Sequence, residues 1–210
     1  MIADARERMS GVRLLLIWPG RMAMDATLAG ELAAAGVGAI EYRPEPGETD
    51  REAGRALQGL AGHGAVALVN NRVSLALLVD GVHLGEADMA VAAARAALGS
   101  GAVIGRTARS GASLAQGFTE GADYVAVGAV AASALKPDAP VLGPQAAGAV
   151  AAGAPGPVFA VGGAKRRLRG AWAAAGFTRV ALSGAVLAAA DPVAAAADWA
   201  AWLATLSRWP

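Results

Sequence analysis

No cysteine occurs among the 210 residues, which excludes a disulfide framework, a thiolate nucleophile and a cysteine-ligated metal, and fits a reducing cytoplasm. An excess of charge is missing too: 18 basic against 17 acidic side chains leave a net +1. Nucleic acid is therefore not an expected partner, and any anion binding has to come from charges grouped locally. The chain also lacks an unbroken apolar run of membrane length. Residues 139–164 carry no charged side chain, but Pro140, Pro144, Pro155 and Pro157 cut the stretch into pieces, so no membrane span is expected. The opening MIADARERMSG has charges of both signs and no apolar centre, and does not read as a secretory signal.

With 55% hydrophobic residues the chain can bury a full core and reads as one domain over residues 1–210. Short apolar runs read as strands: Val12 to Trp18, Gly38 to Tyr42, Ala65 to Val69, Gly81 to Leu84, Ala102 to Gly105, Tyr124 to Val127, Val158 to Val161 and Arg179 to Leu182. Helices fall between them. Asp25 caps one that stops at Gly36; Asp50 to Leu60 and a short Val73 to Val79 follow; an Ala-rich one runs to Leu98 and another from Ser110 to Glu120. Gly143 to Ala152 and Lys165 to Ala175 come next. Asp191 and Pro192 open the last, whose Trp199, Trp202, Leu203 and Leu206 form an apolar face expected to seal the barrel. Eight strand and helix pairs predict an α/β fold, a single (β/α)8 TIM barrel, near the lower end of the ~200 to more than 400 residues usual for it.

In such a barrel the chemistry gathers at the C-terminal ends of the strands. Those ends hold Arg43, Asn70, Arg72, Thr107, Arg109 and Lys136, with Asp88 as the foremost carboxylate. Gly162 and Gly163 close the seventh strand, and Ser183 and Gly184 the eighth, where neighbouring loops commonly present backbone N–H groups to a phosphate. A diphosphate held by these cations and amides, with a magnesium ion on Asp88, is coherent chemistry, because magnesium takes one or two carboxylates plus phosphate oxygens. His83, inside an apolar run, reads as a packed, hydrogen-bonded histidine, and His63 as a surface residue.

Four stretches in this order resemble the motifs of the thiamine phosphate synthase and thiazole tautomerase superfamily. DGVHLGEAD (Asp80 to Asp88) is similar to D-G-V-H-L-G-Q-x-D. GADYVAVGAV with the later Lys136-Pro137-Asp138 is similar to G-A-D-Y-x-x-x-G and its T-x-T-K loop. VNNR (Val69 to Arg72) is similar to N-D-R, and AVGGAK (Ala160 to Lys165) to I-G-G-I. The resemblance implies a transferase that joins hydroxymethylpyrimidine diphosphate to a thiazole phosphate with release of diphosphate, and a homodimer. It implies Arg43, Asn70, Thr107 and Lys136 as catalytic groups and Asp88 and Asn71 at the magnesium. Arg72, Arg109, Gly162, Gly163, Ser183 and Gly184 would contact substrate, as would Glu41 and Glu45.

Departures from the pattern are local. Glu41 stands where the synthase has glutamine, Glu45 where it has lysine, and Asn71 where it has a second magnesium carboxylate; Ser133 and Leu135 replace two threonines. IGRTARS (Ile104 to Ser110) is closer to the tautomerase branch, yet Arg109 occupies the position of that branch's histidine, and arginine does not shuttle protons near neutrality. Alternatives to the synthase are a different enzyme acting on a phosphorylated heterocycle and a non-catalytic binder of such a ligand.

Overall fold

The computed structural model describes residues 4–132 and 140–206. Lys136, with Ser133 and Leu135, lies outside the described residues. Eight parallel strands close into a barrel in sequence order: β1 (Leu14–Pro19), β2 (Ala39–Arg43), β3 (Val66–Asn70), β4 (Gly81–Leu84), β5 (Val103–Ala108), β6 (Tyr124–Val127), β7 (Val158–Val161) and β8 (Val180–Leu182). β8 returns to pair with β1, Leu14 opposite Val180. The helices are α1 (Ala5–Gly11), α2 (Ala26–Ala34), α3 (Asp50–Leu60), α4 (Val91–Leu98), α5 (Gly111–Thr119), α6 (Pro144–Ala151), α7 (Arg169–Ala174), α8 (Gly184–Leu187) and α9 (Pro192–Ala204), with 3-10 turns at Val73–Leu78 and Arg166–Leu168. This is the (β/α)8 barrel that the alternation of strand and helix patterns predicts.

Side-chain alternation along each strand sorts the core into two layers. Leu15, Ile17, Ala39, Val66, Leu68, Val103, Tyr124, Phe159 and Ala181 fill the interior. Leu14, Leu16, Trp18, Ile40, Val69, Val82, Ile104 and Val125 face outward into the helical ring. Trp199 and Leu203 of α9 belong to that outer layer, against β1, α2 and α8. The α9 face therefore seals the outside of the barrel.

The N-terminal end is closed instead by α1, a helix that carries too little periodic apolar character to be read from the sequence. Met9 is fully buried and packs with the interior residues. Two arginines that precede it on α1 reach aspartates that stand just before strands: Arg8 Nη2 lies 3.2 Å from both Asp80 oxygens, and Arg6 Nε 2.6 Å from Asp123 Oδ1. Each aspartate also accepts a backbone N–H from the preceding strand, Asp80 from Ala67 and Asp123 from Ile104, both at 2.8 Å.

Local capping follows the sequence. Asp25 accepts from Leu28 N–H, Asp191 from Ala194 N–H, and Ser110 forms a reciprocal capping box with Ser113. Three boundaries differ from expectation. β5 runs on to Ala108, so Arg106 and Thr107 lie on the strand and not after it. The expected helix Lys165 to Ala175 is a 3-10 turn followed by α7, and the short α8 begins directly at Gly184.

Gly105 is the tightest interior position in β5. It pairs with Tyr124 across the β5–β6 ladder, and a Cβ there would overlap the Tyr124 ring. Gly105→Ala is expected to cost about 2 kcal/mol by overpacking, read as a lower urea midpoint at an unchanged slope; a midpoint equal to the parent's would contradict it.

Candidate active site at the C-terminal mouth

A cavity of about 280 Å³ opens at the C-terminal end of the strands. The strand alternation puts one inward residue of each of β2 to β6 at its floor: Glu41, Asn70, His83, Thr107 and Tyr124. Ile17, Ala126, Val161 and Ala181 make its apolar walls, and Gly162, Gly163, Ser183 and Gly184 its other side. A polar arc from β2 to β6 thus faces a glycine-lined arc after β7 and β8.

The polar arc is pre-ordered. Glu41 is 3% exposed and its Oε1 accepts from Asn70 Nδ2 at 2.9 Å. The His83 ring bridges two hydroxyls, Tyr124 Oη at 3.0 Å from Nδ1 and Thr107 Oγ1 at 3.0 Å from Nε2, while stacking on the Tyr124 ring. Burial pushes the Tyr124 hydroxyl well above the ordinary tyrosine range, and the negative charge of Glu41 adds to it, so Tyr124 serves as a neutral hydrogen-bonding post. Asn71 takes a left-handed backbone (φ 63), tolerable for asparagine, and this turn brings both Asn70 and Asn71 to the cavity.

The glycine arc offers backbone. Among the described residues the N–H groups of Gly163, Ala164, Gly184 and Ala185 have no hydrogen-bond acceptor, and all four residues line the cavity. Gly163 has φ +65, and a Cβ on it would come within 2.6 Å of the Ala131 carbonyl, so only glycine lets the two loops meet here.

Among the described residues four cations reach the cavity, Arg21, Arg43, Arg109 and Lys165. Arg109 is tied to Glu86 through both its guanidinium and its backbone N–H. Arg21 lies 3.5 Å from Glu45 in a half-exposed pair. Arg43 and Lys165 have no carboxylate within ion-pair reach among the described residues. Arg21 and Lys165 were not singled out by the sequence, since nothing in their local pattern tells a mouth residue from a solvated one.

Other expected site residues stand outside this cavity. Arg72 turns onto the start of α3, 2.9 Å from Asp50 Oδ1 and 2.5 Å from the Glu48 carbonyl. Glu45 and Arg72 line a second cleft beside the mouth, shared with Arg21, Arg43, Asn70 and Asn71. Asp88 folds back on its own loop, where its Oδ2 accepts the Gly85 N–H at 2.6 Å. Arg106 faces outward and fastens that loop through the Gly85, Glu86 and Met89 carbonyls. His63 is half-buried, its Nε2 3.1 Å from the Gly59 carbonyl.

Burial pushes the Glu86 carboxyl up, but bonds from Arg109 and Ser113 outweigh it and hold the group below its ordinary 4.5. A depressed carboxylate contributes stability above its unfolded value and loses it as pH falls through the folded one. Acid melts of the parent should therefore lose stability below about pH 4.5, and Glu86→Gln should flatten that limb; an identical limb in the variant would exclude Glu86 as a contributor.

The fold and the mouth together define a (β/α)8-barrel protein with a polar floor, a cationic rim and a glycine-lined, donor-rich wall. Residues 14–186 match the family model for thiamine monophosphate synthase, and the chain belongs to that family. It is 42% identical over 172 residues to a thiamine-phosphate synthase of Anaeromyxobacter dehalogenans, covering 79% of this chain and 78% of that one. To the thiamine-phosphate synthase of Parasynechococcus marenigrum it is 36% identical over 179 residues, 83% of this chain and 50% of the relative. The chain thus spans about half the length of several curated relatives it matches. Among solved structures it is similar to the thiamine phosphate pyrophosphorylase from Pyrococcus furiosus, with a TM-score of 0.83, 25% identity, and coverage of 95% and 98% of the two chains.

Proposed function

We propose that the protein is a thiamine phosphate synthase, a transferase coupling hydroxymethylpyrimidine diphosphate to thiazole phosphate with release of diphosphate. The observation that carries this reading is the convergence of Arg43, Asn70 and Thr107 on one cavity with the unpaired N–H groups after β7 and β8. Two anionic groups can be held there on opposite arcs. Arg43 takes the diphosphate, joined by Lys136 on the motif resemblance, while Gly163, Ala164, Gly184 and Ala185, with Lys165 beside them, take the thiazole phosphate. The pyrimidine ring lies against Ile17, Tyr124 and Val161.

In the reaction the carbon–oxygen bond breaks with its electron pair leaving on diphosphate, and the thiazole nitrogen then donates a pair to the ring methylene. The protein's part is position and charge: rim cations stabilise the leaving group, while Asn70 and Thr107 are fixed by Glu41 and His83 before substrate arrives.

A magnesium ion on Asp88 and Asn71 fits the donor set. Asp88 Oδ1 has no hydrogen-bond partner among the described residues, since only Oδ2 accepts from Gly85, and Asn71 adds a neutral oxygen at the adjoining strand end. No group of three His, Asp or Glu side chains forms a cage among the described residues, so diphosphate oxygens would complete the shell. When bound, the cation would draw negative charge off the diphosphate. A tautomerase is less well supported, because Arg109 is bound to Glu86.

The reading implies small phosphorylated pyrimidine and thiazole substrates, a cytoplasmic setting and, by the motif resemblance, a homodimer. Among the described residues no helix is long and apolar enough to cross a membrane. Incubation of purified protein with magnesium and both substrates is expected to yield thiamine phosphate; no product above an enzyme-free blank would end the reading.

A further inference from the structure

We propose that Arg106 is a positioning residue for the cation site, setting the carboxylate of Asp88 by clamping its loop from outside the barrel. The proposal rests on the synthase reading only in taking diphosphate as the anion that shares the cation.

Arg106 and Thr107 are neighbours on β5 and face opposite ways: Thr107 lines the cavity and Arg106 stands outside. The Arg106 stem lies on α5, where a Cβ on the buried Gly117 would come within 3.3 Å of Arg106 Cγ. Its head pairs with no carboxylate among the described residues, and three carbonyls of one loop take its N–H groups instead. Nη1 donates to the Gly85 carbonyl at 2.7 Å and to that of Met89 at 3.2 Å, and Nη2 donates to that of Glu86 at 3.0 Å.

Asp88 sits inside this grip. Its Oδ2 accepts the Gly85 N–H at 2.6 Å, and its own N–H donates to the Gly85 carbonyl at 3.1 Å. Gly85 leaves room for the clasp, since a Cβ there would stand 2.8 Å from Oδ2. Arg106 therefore holds both the residue on which Asp88 leans and the residue that follows it. Apolar packing does not hold the loop, because Met89, its one large apolar side chain, is 46% exposed.

The clamp also leaves the charge of Asp88 available. The guanidinium goes to carbonyls, Oδ1 has no hydrogen-bond partner, and no Arg or Lys pairs with the carboxylate among the described residues. Magnesium demands near-ideal geometry and takes one or two carboxylates plus phosphate oxygens, so the carboxylate it meets has to be fixed beforehand. A planar fork that grips carbonyls through two nitrogens fixes the loop; a lysine ammonium, a single point charge, fixes it less.

The test compares, by calorimetry, the binding of magnesium diphosphate with that of inorganic diphosphate free of metal. The parent is expected to prefer the magnesium complex by about tenfold or more. Arg106→Met, which keeps the stem and loses the fork, should bring that preference below about twofold while metal-free diphosphate binds within about twofold of the parent. Arg106→Lys should retain a preference of about threefold. Asp88→Asn should also abolish the preference, and combining it with Arg106→Met should weaken magnesium diphosphate no further, because both changes act on one carboxylate. A parent without the preference, an Arg106→Met variant that keeps it, or additive losses in the double variant overturns the proposal. A lowered melting temperature with the preference intact does so too, since Arg106 would then be a structural fastener only. If Arg106→Met does not fold, Arg106→Lys decides, and an undiminished preference in it is the overturning result. Preference dependent on Arg106 without thiamine phosphate formation would sink the synthase reading and leave the clamp standing; product formation with a preference indifferent to Arg106 would do the reverse.

Discussion

On the proposed synthase reading, Arg43→Met is expected to lower kcat/KM for thiamine phosphate formation by about 100-fold, the scale seen when one preorganised donor to a developing anion is removed. Methionine retains an unbranched apolar stem and loses only the guanidinium. Because Arg43 has no carboxylate partner among the described residues, no ion pair is broken and the melting temperature should hold. That separates it from Arg109 and Arg21, whose charges meet Glu86 and Glu45; methionine at Arg21 should cost far less than at Arg43. Steady-state kinetics on the two variants decide the matter, and equal losses would show that the rim acts as a diffuse field.

Asp123→Ala is expected to cost about 3 kcal/mol of stability. Its side chain is 7% exposed and gathers Arg6 at 2.6 Å, Arg95 at 2.8 Å and the Ile104 N–H at 2.8 Å. Alanine would leave a strand N–H without its acceptor and take the carboxylate from two guanidinium groups, which keep the Ser100 carbonyl and the Gly99, Ala102 and Gly121 carbonyls. Asp80, with its side chain 29% exposed and Arg8 at 3.2 Å, holds one cation more loosely, so Asp80→Ala should cost less. Urea titration of both variants gives the ranking, and a smaller loss at Asp123 would mean that water replaces these bonds at little cost.

The strands were legible because each is a short apolar run closed by Gly, Pro or a polar cluster, and three helix caps because Asp25, Ser110 and Asp191 stand directly before apolar periods. β5 was cut short because Arg106 and Thr107 look like loop residues; in a barrel one of them faces the cavity and the other fastens a loop, and both roles accommodate polar side chains inside a strand. α1 went unseen because its single buried residue, Met9, is justified only by contacts with distant strands. At the mouth, the strand-end rule found Arg43, Asn70, Thr107 and the glycine loops, which meet in one cavity. It could not foresee that Arg72 would turn toward Asp50, that Arg109 would be claimed by Glu86, or that Arg21 would arrive from the loop after β1. Those outcomes depend on which carboxylate lies nearest in space.

Arg8 and Arg6 reach sockets 72 and 117 residues further along the chain. Contacts so remote in sequence carry a large loop-closure cost and form late. The base of this barrel is fastened by contacts that span three strands in one case and five in the other.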